Sequence, residues 1–118
     1  MLSSVIRAEP AKRFENLLTL HLLKLCHLLQ DREGFGAELH YVRDRTGREM
    51  DFLVAVDRKP RFVVEAKLAA TTIDPSLRYF RDRLRIPWAY QVTLDGRRDF
   101  VQDGIRCLPV RQFLGALL

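Results

Sequence analysis

Three charged residues near the middle of the chain, Asp51, Glu65 and Lys67, interrupt segments that are otherwise rich in apolar and strand-forming residues. Glu65 and Lys67 are two positions apart in the segment Arg61–Leu68. Because alternate side chains of a strand project from the same face, we expect this carboxylate and this ammonium to point the same way. Buried strands seldom carry two charges without a partner or a function. The pair therefore marks a candidate site.

Asp51 belongs to the preceding predicted strand, on the other side of the short turn Asp57–Pro60. If Val56 pairs with Pro60, Asp51 lies directly opposite Glu65, with Cβ atoms about 5 Å apart. A slip of one residue would move Asp51 to the other face of the sheet. The predicted site therefore depends on this register.

Two carboxylates at that spacing repel each other by about 3–4 kcal/mol at an effective dielectric constant of 20. A divalent cation would replace this repulsion by shared coordination, and carboxylate oxygens are ligands that magnesium and manganese prefer. We therefore expect Asp51 and Glu65 to be metal ligands for magnesium or manganese, with Lys67 beside them. The alternatives are that Glu65 and Lys67 form an ion pair on a solvent-facing strand, and that Asp51 bonds the turn before its strand.

The elements that must position these residues follow from hydrophobic periodicity. Helical spacing predicts three helices, which are Ala11–Gln30, a helix starting near Asp74-Pro75, and Arg111–Leu118. Alternating or continuous apolar runs predict five strands, which are Ala37–Asp44, Glu49–Val56, Arg61–Leu68, Trp88–Leu94 and Ile105–Val110. The order is helix-strand-strand-strand-helix-strand-strand-helix, which predicts an α/β fold with a mixed sheet. We expect one domain over residues 1–118, with residues 1–9 as a loose N-terminal arm and Pro10 at the first helix start.

Composition bounds the function and the compartment. The net charge is +5 at pH 7, and sixteen of the 20 basic residues are arginines. This bias favours a polyanionic partner, or else reflects the arginine codons of a GC-rich genome spread over a solvated surface. Arg78, Arg81 and Arg85 are placed to follow a nucleic-acid backbone, or else to form a charged solvated face.

Cys26 and Cys107 lack metal-ligand spacing, which argues against structural zinc and favours a reducing compartment. With no 18-residue apolar run, we expect a cytoplasmic protein without a membrane segment.

The motifs resemble those of a known superfamily. Gly47–Phe52 (GREMDF) followed by Val63–Lys67 (VVEAK) resembles the D…ExK core of the PD-(D/E)XK nuclease superfamily. More narrowly, the chain is similar to the uncharacterised domain found C-terminal to AAA-type ATPase modules in prokaryotes, whose Phe-Glu-Asn helix is matched by Arg13–Leu17 (RFENL). The resemblance covers about Lys12–Leu84, with a weaker match in Cys107–Phe113.

This resemblance implies a restriction-endonuclease-like fold and metal-assisted hydrolysis of DNA phosphodiester bonds. Asp51 and Glu65 would be the metal ligands, Lys67 would position or activate the attacking water, and Glu15 would be a further acidic residue near the metal. The implied partners are DNA, an ATPase module in a longer relative, and a second copy of the chain in a homodimer. A catalytically inactive module of the same fold beside an ATPase is the alternative, and a defective remnant of a longer gene is a third. Glu15 lies at the edge of the apolar stripe of its helix, where a boundary salt bridge is equally consistent.

Overall fold

The computed structural model describes residues 2–34, 36–42, 51–69 and 72–117, and for residues 2–9, 42 and 51 it describes the backbone alone. The described residues form three helices, which are α1 (Leu2–Glu33), α2 (Pro75–Arg83) and α3 (Val110–Leu117). They also form six strands, which are β1 (Ala37–Val42), β2 (Asp51–Val56), β3 (Lys59–Lys67), β4 (Trp88–Thr93), β5 (Phe100–Gln102) and β6 (Ile105–Pro109). The sequence also predicts a hairpin turn at Arg45–Arg48 (RTGR), which lies outside the described residues.

The strands form one mixed sheet in the order β1-β2-β3-β4-β6-β5. The first three strands are an antiparallel meander, and β4 then runs parallel to β3 after the crossover through α2. The α/β class and the mixed sheet are therefore as predicted. The predicted element order was wrong in one respect, because it lacked β5, a three-residue strand at the sheet edge that pairs with β6. So short and partly exposed a strand leaves little hydrophobic pattern to detect.

Helices cover both faces of the sheet. On one face, α1 buries a stripe at four-residue spacing, which consists of Phe14, Leu18, Leu22 and Cys26, and Phe113 of α3 joins the same core. On the other face, Leu77 of α2 packs with Val63 of β3. Because side chains alternate along a strand, Val63 and Val64 enter different cores. None of these helices has the length and apolarity needed to cross a membrane, as far as the described residues extend.

The start of α1 differs from the prediction. Residues 2–9, predicted as a loose arm, are helical, and Pro10 lies inside α1 instead of at its first turn. Residues 2–9 contain no glycine or proline that would stop a helix. Pro10 removes one backbone hydrogen bond from α1, but the helix continues through it. At the other end, Gly34 adopts a φ of 72° and donates its N–H to the Gln30 carbonyl, which terminates the helix after Glu33, three residues beyond the predicted end at Gln30.

Candidate functional site

The hairpin of β2 and β3 brings Asp51 opposite Glu65 by a route that differs from the predicted one. The turn pairs Val56 with Lys59, not with Pro60, so the predicted pairing at the turn is wrong by one residue. Further from the turn, an irregularity between Val54 and Ala55 shifts the register by one residue, so that Asp51 pairs with Glu65. A β-bulge adds one residue to one strand, which compensates for the tighter turn.

The tighter turn itself has a clear backbone signature. Asp57 and Arg58, its two central residues, have φ values of 52° and 67°. Two positive φ values in succession are typical of the two-residue turns whose twist suits a hairpin. Gly36 supports the turn, because its N–H donates to Asp57 Oδ1 at 3.0 Å and its carbonyl accepts from the Asp57 N–H at 2.9 Å. The turn is therefore anchored to the start of β1.

Glu65 and Lys67 lie on the sheet face that α2 covers, since they alternate with Val64 and share the parity of Val63. Glu65 is completely buried, with a relative exposure of 0%. Its Oε1 lies 3.2 Å from Lys67 Nζ, and the Lys67 side chain is 22% exposed. An ion pair on a solvent-facing strand is therefore the wrong interpretation. This is a buried carboxylate whose ammonium partner reaches towards solvent.

Asp74 joins this pair from the segment before α2. Its Oδ2 lies 2.7 Å from Lys67 Nζ, so the ammonium contacts two carboxylates. Its Oδ1 accepts the Ser76 N–H at 2.8 Å and so caps α2. Burial raises the pKa of Asp74, but the hydrogen bonds from Lys67 and Ser76 outweigh it and hold this pKa well below its usual value. Asp74 is therefore a carboxylate that stays ionised in the folded protein.

Gln91 of β4 connects the neighbouring strand to this cluster. It is the register partner of Glu65 in the parallel pair and is completely buried. Its Oε1 accepts the Asp74 N–H at 2.8 Å, and its Nε2 donates to the Thr72 carbonyl at 2.8 Å. A further contact joins Nε2 to Cys107 Sγ at 3.7 Å. One buried amide thus anchors the backbone that carries Asp74.

Sequence reasoning missed the roles of Asp74 and Gln91. Asp74 was recognised as part of a helix start, which the structure confirms, but not as a partner of Lys67. Gln91 was included in the strand Trp88–Leu94 without being singled out. The signal that identified Glu65, a polar residue inside an apolar strand, was present at Gln91 as well.

Glu15 lies on α1, which covers the opposite face of the sheet. It nevertheless lies close to the C-terminal end of β3. It lines a cleft of about 230 Å³ together with Lys67. The remaining walls of this cleft are Ala11, Phe14, Ala66, Leu68 and Ala69. The structure therefore places Glu15 and Lys67 at one cavity, and the role of Glu15 near a metal stays a prediction.

The chemistry of the donor set bears on whether a metal fits. Glu65 and Asp74 supply carboxylate oxygens, and Asp51 adds a third carboxylate residue at the register position of Glu65. Oxygen donors suit magnesium or manganese, so the residue types fit the predicted ion. Across the described side chains, which exclude that of Asp51, no group of three or more histidine, cysteine, aspartate or glutamate residues is arranged to hold a metal. The predicted site includes Asp51, whose side chain lies outside the described ones.

Two arginines of α2, Arg78 and Arg81, are engaged with neighbouring acids. Arg78 Nη2 lies 2.6 Å from Asp103 Oδ2, and Arg81 Nε lies 2.9 Å from Asp82 Oδ1. Arg81 also donates to the Asp103 carbonyl. Arg85, just beyond the helix, is exposed. These contacts favour a charged solvated face over a surface that follows a nucleic-acid backbone.

Comparison with known proteins adds one family. Residues 12–113 match the family described as Domain of unknown function (DUF4143), which is known as an ATPase-associated domain. No curated protein and no solved structure matches the chain.

Proposed function

Since the chain belongs to the DUF4143 family, for which no function is established, we propose from its geometry that it is a metal-dependent nuclease domain hydrolysing DNA phosphodiester bonds. The proposed centre is of the PD-(D/E)XK type, with Asp51, Glu65 and Lys67 as its core and Glu15 as a further acidic residue. The order of α1, the three-stranded meander, α2 and β4 is compatible with the restriction-endonuclease-like fold that belongs to this proposal.

The observation that carries the proposal is the complete burial of Glu65 beside Lys67, with Asp51 as its register partner. Taking a carboxylate out of water costs several kcal/mol, and apolar residues of similar volume often stabilise a fold as well or better. A completely buried acid near the end of a strand, whose ammonium partner Lys67 lines a cleft, is therefore better explained by chemistry than by stability.

Each residue has a distinct role in this proposal. Magnesium or manganese, held by Asp51 and Glu65, would supply Lewis acidity at the phosphate and lower the pKa of a bound water. The Lys67 ammonium orients the attacking water and stabilises negative charge that develops on the phosphate. Glu15, across the cleft from the sheet, adds a carboxylate that can accept a hydrogen bond from that water.

A catalytically inactive module of the same fold is the second candidate, and one observation favours it. Lys67 contacts both Glu65 and Asp74, so part of the negative charge that would attract a metal is already balanced within the protein. In this case the domain would bind nucleic acid or a partner such as an ATPase module, and the cluster would only hold β3 to α2.

The two candidates are separated by incubating the domain with supercoiled plasmid and with branched DNA, in magnesium or manganese. The nuclease proposal expects cleavage that a chelator abolishes and that Asp51→Asn and Lys67→Ala each reduce by at least about 100-fold. Lys24→Ala is the matched control, because Lys24 is exposed on α1. Circular dichroism of each variant confirms that the compared proteins are folded.

The nuclease proposal fails if the folded wild type cuts neither substrate with either metal, or if Asp51→Asn cuts as fast as wild type. DNA binding that persists in chelator and in Lys67→Ala, without cleavage, would instead support the inactive module. Gel-shift titrations of the same proteins supply that measurement.

A further inference from the structure

Gln91 anchors the backbone of the segment before α2 at two residues, Thr72 and Asp74. Gln91 accepts the Asp74 N–H and donates to the Thr72 carbonyl, each at 2.8 Å. Gln91 itself is completely buried in β4, between β3 and β6, so it cannot move without disturbing the sheet. The backbone at Asp74 therefore has a defined position relative to Glu65, the register partner of Gln91.

The two carboxylate oxygens of Asp74 have separate tasks. Oδ1 accepts the Ser76 N–H, as a helix cap does, and Oδ2 lies 2.7 Å from Lys67 Nζ. The cap orients the carboxylate, and the orientation directs Oδ2 at the ammonium. Lys67 has a flexible four-carbon stem, and a contact of this kind restricts the positions that its charged end can adopt.

We propose that Asp74 and Gln91 are positioning residues, which together hold the Lys67 ammonium beside Glu65. This inference rests on the proposed nuclease function, where it assigns the residues that place the ammonium for reaction. Gln91 sets the position of Asp74, and Asp74 sets the position of Lys67. A displacement of about 1 Å at a reacting group can reduce the rate by about 100-fold.

Three substitutions separate positioning from stability. Asp74→Ser keeps an oxygen that caps α2 but removes the carboxylate that reaches Lys67. Asp74→Asn keeps the shape of the side chain and removes its charge. Gln91→Met keeps most of the volume and removes both hydrogen bonds to the segment. Asp82→Ser is the matched control, because Asp82 lies on the exposed side of the same helix and pairs with Arg81.

The first measurement is the steady-state cleavage of plasmid DNA in manganese. Asp74→Ser should lower kcat by about 10- to 100-fold while KM for DNA changes less than about threefold, because the substrate surface is intact. Gln91→Met should lower kcat in the same direction, and Asp82→Ser should leave it unchanged. A kcat of wild-type size in folded Asp74→Ser would overturn the inference.

The second measurement needs no DNA. NMR of lysine ammonium groups should show a slowly exchanging Lys67 signal in the wild type, assigned by its loss in Lys67→Met, and this signal should disappear in Asp74→Ser. Its persistence in Asp74→Ser would overturn the positioning pair, whatever the activity. A wild type without cleavage but with this Asp74-dependent signal would refute the nuclease and support the positioning of Lys67.

Discussion

Replacing Lys67 by methionine should destabilise the fold in a pH-dependent way. The substitution keeps most of the side-chain stem and removes the ammonium that contacts Glu65 and Asp74, at 3.2 Å and 2.7 Å. Glu65 is completely buried, so the variant leaves a carboxylate in the interior close to a second one. We therefore expect the loss to come from uncompensated negative charge and not from lost packing.

The magnitude follows from two bounds. Removing one partner of a buried pair typically costs about 3–5 kcal/mol, and we expect the lower end here because the Lys67 and Asp74 side chains are 22% and 23% exposed. The variant can also escape by protonating Glu65, which costs about 4 kcal/mol at pH 7 and about 1 kcal/mol at pH 5. The expected loss in the free energy of unfolding is thus about 3 kcal/mol at pH 7 and about 1 kcal/mol at pH 5.

The sign follows from proton linkage. Unfolding returns the Glu65 carboxylate to water, whereas the folded variant must either keep this charge buried, as at pH 7, or take up a proton, as at pH 5. The penalty is therefore present above the usual pKa of a glutamate and disappears as the pH falls to about 4. Urea unfolding followed by circular dichroism at the two pH values measures both quantities.

Two further variants test the reasoning. Lys24→Met, at an exposed position of α1, should change stability by less than about 0.5 kcal/mol. Adding Glu65→Gln to Lys67→Met should recover at least half of the loss at pH 7, because the buried charge is gone. A loss below about 1 kcal/mol at pH 7, or an equal loss at both pH values, would refute the account of this cluster.

Three other predictions follow from the structure. Folding holds the pKa of Asp74 below its ordinary value of 3.8, so the stabilising contribution of Asp74 is present above pH 3.8 and is lost as the pH falls through the lower pKa of the folded protein. Below about pH 4, Asp74→Asn should therefore lose less stability than wild type, as measured by acid titration followed by circular dichroism. Gly115→Ala should raise the free energy of unfolding by about 0.5–1 kcal/mol, because Gly115 lies in α3 and an added Cβ meets no atom of the described residues within 4 Å; a lower melting temperature would contradict this. Burial raises the pKa of the Cys26 and Cys107 thiols, so a disulfide reagent should label both at least about tenfold more slowly in the native protein than in urea, and equal rates would show that they are accessible.

Local pattern was sufficient for much of the fold and for the shared face of Glu65 and Lys67. Alternation along β3 predicted that Glu65 and Lys67 share a face. The predicted turn also gave Asp51 as the register partner of Glu65, but the structure reaches this pairing through a tighter turn and a compensating bulge. The start of α2 at Asp74-Pro75 was also predicted from the sequence, because an aspartate before a proline is a typical helix start. The shared face of Glu65 and Lys67 and the start of α2 depend on residues that are close in sequence, so the local sequence pattern encodes them.

Tertiary structure alone decided which residues surround Lys67. Asp74 contacts Lys67, and Gln91 anchors the backbone at Asp74. Gln91 is in place for this because β4 returns parallel to β3 after α2, which puts Gln91 beside Glu65 although 26 positions separate them in the sequence. Similarly, the bulge in the hairpin and the cleft shared by Glu15 and Lys67 depend on how strands and helices pack. Periodicity determines the face on which a side chain lies, whereas its partners depend on sheet order and packing, which no single segment encodes.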